Sequence, residues 1–109
     1  MAYQLALTAF ADPTRRRILE TLLEAPSSVG VLADRLPVSR HAVSQHLRVL
    51  KDANLVTETR QGTRRIYRVD TAGLVELRAY LESFWGALMA SYKEFADSTE
   101  GGPDGTPED

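Results

Sequence analysis

The sequence of 109 residues contains no cysteine. A disulfide framework, a thiolate metal site and a cysteine nucleophile are therefore all excluded. No apolar run approaches the roughly 18–20 residues that a membrane-spanning helix requires. The first residues also lack the charged start and cleavable apolar run of a secretory signal. We therefore expect a protein that works in the cytoplasm and does not associate with a membrane.

Signatures of catalysis and of metal binding are missing as well. The sequence has no serine nucleophile elbow, no phosphate-binding glycine loop and no metal triad. It has two histidines, His41 and His46, and their spacing of five residues does not place both on one face of a helix. We expect the His46 ring to be packed and bonded to the backbone rather than to contact DNA or a metal. The sequence therefore predicts neither an enzyme nor a bound metal or cofactor.

Acidic residues are scarce in the middle of the chain, although the net charge of the whole is −2. Residues 98–109 hold four acids and no base, so the other 97 residues carry 13 bases and 11 acids, a net charge of +2. Within residues 39–68 there are seven bases and two acids, Asp52 and Glu58. Such a basic block is typical of a surface that binds a polyanion. The acidic end, rich in Gly and Pro, predicts a disordered tail over 98–109 that follows one domain over 1–97.

Apolar spacing and capping residues predict five helices and one β-hairpin. The predicted helices cover residues 3–10, 13–24, 30–36, 40–53 and 71–96. The residues expected to cap the later helices are Asp12, Ser39 and either Asp70 or Thr71. The hairpin strands are "LVTETR" and "TRRIYRV", which surround a turn at Gln61 and Gly62. Asn54 and Gly62 are expected to adopt positive φ values.

The fourth predicted helix has an unusual outer face. Its inner stripe of Val43, Leu47 and Leu50 is apolar, whereas the outer face carries hydroxyls, an amide and long cations, with no acid before the last turn. The outer-face residues are Ser39, Arg40, His41, Ser44, Gln45 and Arg48. Arginine can pair with guanine, glutamine with adenine, and serine with a base or a phosphate, whereas an acid would face phosphates. We therefore predict that this face binds double-stranded DNA.

The order of the predicted elements is that of a winged helix-turn-helix, a mainly α fold with a small β-hairpin wing. The three-residue link "PVS" leads into the fourth helix, which would be the recognition helix that enters the major groove. Three arginines, Arg60, Arg64 and Arg65, flank the expected wing tip, where they can contact phosphates or the minor groove. A solvated hairpin is the alternative. The three arginines at 15–17 form a solvated face partly balanced by Glu20, or one of them contacts a phosphate.

The last predicted helix carries more apolar surface than one small domain can cover. At about 1.5 Å per residue, its roughly 25 residues measure about 38 Å. Its apolar stripe, together with apolar positions of the first helix, predicts a homodimer joined through the terminal helices. The residues assigned to that interface are Leu5, Phe10, Leu77, Leu81, Phe84, Trp85, Leu88 and Tyr92. An intramolecular core and a ligand pocket among the aromatic side chains are the alternatives.

Three segments, "ADPTRRRILETLL", "LADRLPVSRHAVSQHLRVLKDANLV" and "RQGTRRIYRVD", resemble successive signature segments of the ArsR/SmtB-type bacterial transcriptional regulators. The resemblance covers about residues 5–96, and it implies a homodimer that binds operator DNA and usually represses transcription. Many members of that family leave DNA when a metal binds. This chain has neither the Cys-x-Cys pair of the thiol-based sensors nor a histidine on its last helix. It therefore resembles the cysteine-free branch, for which metal sensing does not follow and the effector is unknown.

The competing hypothesis is a winged helix that binds another protein instead of DNA. Protein-interaction surfaces are generally depleted in unbalanced charge. Residues 39–68 carry seven bases and two acids, a net charge of +5. The sequence therefore favours DNA as the partner, and a two-fold symmetric homodimer is expected to bind a palindromic operator.

Overall fold

The structure is a computed structural model that describes residues 2–98, and within them five helices and two strands follow in the predicted order. The elements are α1 (Ala2–Ala11), α2 (Pro13–Glu24), α3 (Val29–Arg35), α4 (Arg40–Asp52), β1 (Val56–Gln61), β2 (Arg64–Val69) and α5 (Thr71–Ser98). The predicted winged helix-turn-helix is confirmed, with α3 and α4 as the helix pair and β1 and β2 as the wing. Apart from Ser98, the predicted acidic tail lies outside the described residues.

Polar side chains mark the beginnings of most helices. The N-caps are Asp12, Ser28, Ser39 and Asp70, each of which accepts a hydrogen bond from a backbone N–H in the first turn of its helix. The caps predicted at Asp12 and Ser39 are confirmed, and Asp70 rather than Thr71 caps α5. Pro13 occupies the first turn of α2, where its missing N–H leaves nothing unpaired. Ser39 thus starts the recognition helix directly after the short turn that follows α3.

The wing is a tight antiparallel hairpin. Its strands remain paired up to Gln61 and Arg64. The turn therefore consists of Gly62 and Thr63 and not of Gln61 and Gly62, because β1 continues one residue further than the sequence indicated. Gly62 has a φ of +64°, as predicted for a residue in a tight hairpin turn.

The recognition helix α4 is held in place by its inner stripe. Val43, Leu47 and Leu50 are buried in the core, and full burial of an aliphatic side chain contributes about 1.5–3 kcal/mol. Other buried members of this core are Ile18, Leu19, Leu22, Leu32, Leu36, Leu55 and Val56. The wing is tied to the loop before α3, since Ser27 and Tyr67 exchange backbone hydrogen bonds of 3.0 and 2.9 Å. The helix and the wing are therefore both fixed to one core.

The turn after α4 packs closely against the start of α5. Asn54 has the predicted positive φ, at +59°, and its carbonyl accepts a hydrogen bond of 2.8 Å from the Gly73 N–H. A Cβ atom at Gly73 would collide with the carbonyl oxygens of Ala53 and Asn54. A glycine at this position therefore allows α5 to begin directly against the end of the recognition helix.

The chain divides after Arg78 into two compact units. In the first unit, Leu77 is only 5% exposed and Leu74 packs against the core. Leu77 is thus a core residue of the single chain, in contrast to its predicted place in a dimer interface, because the first turns of α5 are packed. In the second unit, the side chains of residues 79–97 are exposed. None of the helices between residues 2 and 98 combines the length and hydropathy needed to cross a membrane.

Candidate nucleic-acid interface

The outer face of α4 is open to solvent. The exposed residues are Ser39, Arg40, His41, Ser44, Gln45 and Arg48, and they are the residues that the sequence assigned to DNA. The first turn of α4 contains no acid. Because the inner stripe of the helix is buried, these polar side chains are directed away from the core. From Ser39 to Arg48 the helix therefore presents donors and cations to a partner, and its only acid is Asp52 at the C-terminal end.

A cleft of about 410 Å³ separates α4 from the hairpin. It is lined by His41, Ser44, Gln45, Leu47, Arg48 and Lys51 of α4 and by Glu58, Arg65 and Tyr67 of the wing. Gln45 and Arg48, which are expected to contact bases, thus share one surface with Arg65, which is expected to contact phosphates. A polyanion that entered this cleft would meet α4 and the wing together.

A second cleft of about 490 Å³ lies beside the first and brings Arg40, Arg64 and Arg65 together. Arg64 Nη2 donates a hydrogen bond of 3.4 Å to the hydroxyl of Ser28 at the start of α3. The Arg40 guanidinium lies against Gly30, where an added Cβ atom would come within 2.9 Å of Arg40 Nη2. Arg65 lines both clefts. Their linings therefore form one continuous surface, which we call the basic surface.

The remaining predicted residue, Arg60, is exposed and stands opposite Arg65 in the strand register. Sequence reasoning did not identify several members of the basic surface, among them Ser28, Lys51 and the two acids Asp34 and Glu58. Lys51 follows Arg48 by three residues, so helical periodicity could have found it. Ser28 could not have been found in this way, because it reaches Arg64 only through the fold.

Glu58 is an acid within the basic surface. Its Oε2 atom lies 3.7 Å from Lys51 Nζ and 3.7 Å from Arg65 Nη1. A hydrogen bond from the Tyr67 hydroxyl lowers the pKa of Glu58, burial opposes that effect, and the two cations add to it. Burial is the main cause of the raised pKa of Tyr67, and Glu58 is the second. Glu58 is therefore ionised at neutral pH and has fixed partners. From the sequence, only the hairpin register, which pairs Glu58 with Tyr67, could have indicated that Glu58 has these neighbours.

Of the three arginines at 15–17, two make contacts within the fold that the sequence did not predict. Arg15 Nε donates to the Ala9 carbonyl at 2.8 Å, and its Nη2 donates to the Thr8 carbonyl at 3.2 Å. Arg16 Nη1 donates to the last two carbonyls of α1, at 3.0 and 2.9 Å. Cations are favourable at a helix C-terminus, where carbonyl groups lack partners. Arg15 and Arg16 therefore cap α1, whereas Arg17 is exposed.

His46 differs from its expected environment. Its Nδ1 atom lies 3.5 Å from Arg15 Nη1, so its polar partner is a side chain of α2 and not the backbone. In the tautomer that carries the proton on Nε2, Nδ1 accepts this contact. Among the described residues, no group of three or more His, Cys, Asp or Glu side chains is arranged to hold a metal ion.

Several proteins of similar sequence are transcriptional regulators or repressors. The sequence model of a helix-turn-helix domain family matches residues 10–59, which include α2, α3 and α4. The HTH-type transcriptional regulator Rv2034 of Mycobacterium tuberculosis is 52% identical over 93 residues, which cover 85% of this chain and 87% of that protein. Transcriptional repressors of Bacillus subtilis and Mycobacterium tuberculosis are among the other similar proteins.

Solved structures give the same result. An ArsR-like transcriptional regulator from Rhodococcus has a TM-score of 0.73 at 35% identity, covering 87% of this chain and 92% of that one. The homodimeric winged helix-turn-helix DNA-binding domain of a possible ArsR-family regulator from Mycobacterium bovis has a TM-score of 0.64 at 26% identity, covering 78% and 79%. Through its fold and its similarity to regulators along most of their length, the chain belongs to the ArsR/SmtB family of winged helix-turn-helix transcriptional regulators.

Proposed function

We propose that this regulator binds a palindromic DNA operator as a homodimer and represses the genes that it controls. The observation that carries the proposal is the outer face of α4, which has no acid before Asp52 and shares the basic surface with the arginines of the wing. DNA-binding regulation, the activity of the family, is not a class of enzyme. We assign the protein to the cytoplasm, because a bacterial transcriptional regulator acts where the chromosome lies.

On the basic surface, and at Ser39 and Arg60 beside it, we assign two kinds of DNA contact. Gln45 and Arg48 have side chains long enough to reach base edges in the major groove, where glutamine suits adenine and arginine suits guanine. The other outer-face residues of α4, which are Ser39, Arg40, His41 and Ser44, hold the backbone or assist at bases. Arg60, Arg64 and Arg65 contact phosphates or the minor groove. Base contacts would set the sequence preference, and phosphate contacts most of the affinity.

The homodimer is supported by the apolar surface that a single chain leaves open. Phe84, Trp85 and Tyr92 are 67%, 61% and 68% exposed. The other exposed residues assigned to the interface are Leu5, Leu81 and Leu88, and Phe10 is partly buried. Monomeric proteins rarely expose large contiguous apolar patches, and the similar Mycobacterium bovis domain is a homodimer. Two recognition helices related by a two-fold axis read half-sites about 34–36 Å apart.

Repression is supported by the repressors among the similar proteins. It also has a physical reason, since a dimer seated over a promoter occupies the DNA that polymerase needs. A genome-wide footprint of the bound protein would supply the operator and name the regulated genes. Transcription from such a promoter should rise when the regulator is deleted. A fall in transcription at every bound promoter would contradict the proposed repression.

Binding itself is tested by fluorescence anisotropy with the footprinted operator and a random duplex over a range of salt concentrations. We expect two protomers per palindrome and a linear fall of log K with log salt concentration, because bound cations displace counterions. A protein retained by neither heparin nor duplex DNA at low salt would instead be the protein-binding winged helix. That result would refute the proposed function.

A further inference from the structure

Glu58 places a negative charge on the surface that we propose faces DNA phosphates. Glu58 lines the same cleft as the recognition-helix residues. Its carboxylate lies 3.7 Å from the cationic groups of Lys51 and Arg65. Both of those side chains are about half exposed, so they are available to a DNA backbone. Glu58 therefore occupies the position from which it can hold two of the cations that DNA would use.

We infer that Glu58 competes with the DNA backbone for Lys51 and Arg65 and thereby lowers the sequence-independent affinity of the protein for DNA. The inference rests on the proposed function and deepens it. It concerns how strongly the basic surface holds phosphates, and not which sequence the recognition helix reads.

The carboxylate cannot easily leave when DNA arrives. Tyr67, whose hydroxyl is the largest cause of the lowered pKa of Glu58, is itself only 8% exposed. The two residues are also direct partners in the strand register. The side chain of Glu58 is correspondingly only 24% exposed. A carboxylate held in this way keeps its charge beside Lys51 and Arg65 in the DNA complex as well.

The ion pairs of Glu58 should reduce the salt dependence of DNA binding. Each cation that neutralises a phosphate releases counterions and adds about 0.9 to the slope of log K against log salt concentration. A cation whose charge is already shared with Glu58 releases fewer counterions, so it adds less to both the slope and the affinity. Ion pairs between exposed groups are weak, so Glu58 reduces the contribution of Lys51 and Arg65 without removing it.

The test is the substitution Glu58→Gln. Glutamine has almost the same shape and keeps a carbonyl oxygen opposite Tyr67 in the strand register, so the hairpin should remain intact. The chain offers a matched control in Glu24→Gln. Glu24 forms an exposed ion pair of 2.7 Å with Arg35, which joins the ends of α2 and α3. Both variants remove one negative charge and one partner of an arginine, but only the first acts on the basic surface.

We expect the Glu58→Gln protein to bind a random duplex about fivefold more tightly at 0.1 M salt, with a slope steeper by up to about one per protomer, because one negative charge is removed. The Glu24→Gln protein should stay close to wild type on both measures. In an Arg65→Gln background, Glu58→Gln should have a smaller effect, because one of the two cations that it releases is gone. Thermal unfolding of each variant verifies that the fold is retained.

Two outcomes would overturn the inference. Equal changes in the Glu58 and Glu24 variants would show that only the overall charge matters. Weaker binding of the operator by Glu58→Gln would show that the carboxylate itself makes a favourable contact with DNA. Failure of the wild-type protein to bind any duplex would refute the proposed function instead, so the two ideas fail in different ways.

Discussion

At the residue scale, the basic surface combines side chains that can distinguish bases with side chains that can only hold the backbone. Gln45 and Arg48 belong to the first group, since they project from a helix whose orientation is fixed by buried Leu47 and Leu50. Arg64 belongs to the second, and its hydrogen bond to Ser28 holds it near the start of α3. The two groups should therefore respond differently to substitution.

The first prediction separates these groups. Gln45→Ala or Arg48→Ala should cost about 1–3 kcal/mol on the operator and relax its sequence preference. Arg64→Ala should weaken the binding of all duplexes alike and reduce the salt slope by about one unit. Anisotropy titrations on operator and random DNA check both results. If Gln45→Ala weakened both duplexes equally, the base-reading face would be wrongly assigned.

The second prediction concerns Asp12, the cap of α2. The N–H of Arg15 donates to its carboxylate at 3.0 Å, and this hydrogen bond is the main reason that the pKa of Asp12 falls below its ordinary value of 3.8. Asp12→Ala should therefore destabilise the fold by about 1 kcal/mol at neutral pH. Because the folded pKa is lowered, the stabilisation is complete above pH 3.8 and is lost as the pH falls through the folded pKa.

Urea unfolding at several pH values tests this prediction. The difference between wild type and Asp12→Ala should persist from pH 7 to about pH 4 and decrease only below that. Asp12→Asn is the control, since asparagine is also a good N-cap but does not titrate. A difference that stayed constant down to pH 3 would show that the charge of Asp12 does not contribute.

At the element scale, the junction of α1 and α2 shows what a sequence pattern cannot supply. Periodicity and the Asp-Pro pair predicted both helices and the break between them, because these signals are local. The capping of α1 by Arg15 and Arg16 was missed, since it joins residues five to seven apart across a bend. At the start of α2 their positive charges oppose the dipole of that helix. In the fold they meet the carbonyl end of another helix.

The basic surface follows the same rule. Its α4 residues other than Lys51 were predicted because the face of a helix can be read from spacing alone. Ser28 and Glu58 were not, because each becomes a member through a tertiary or cross-strand contact. The predicted position of the turn was wrong by one residue for a related reason. Gln-Gly and Gly-Thr both supply a glycine, and only strand pairing decides between them.

The third prediction tests the cap on α1. Arg16→Ala removes two hydrogen bonds to the last carbonyls of α1, and we expect a loss of about 0.5–1.5 kcal/mol. For a domain of this size that corresponds to a fall in Tm of about 4–8 °C per kcal/mol. Arg17→Ala is the matched control, because its side chain is exposed. Equal Tm values for the two variants would argue against the cap.

At the scale of the whole molecule, the apolar positions of α5 divide into two sets. Leu74 and Leu77 pack in the core of the single chain. From Leu81 onward the described apolar side chains are exposed. An uncovered stripe of this size is costly in water. A second copy of the chain would bury it and would also place two recognition helices on one palindrome.

The last prediction is that specific DNA binding requires this pairing. Leu81→Glu with Leu88→Glu should give a folded monomer, because both side chains are already exposed in the single chain. The monomer should retain salt-dependent binding to random DNA and lose its preference for the palindrome. Ser83→Glu with Ala90→Glu is the control, with the same spacing and charge about 160° away on the helix, and it should remain a dimer. Sedimentation at micromolar concentration reports assembly and anisotropy reports binding. A wild-type monomer that still protected one complete palindrome would refute the dimer requirement.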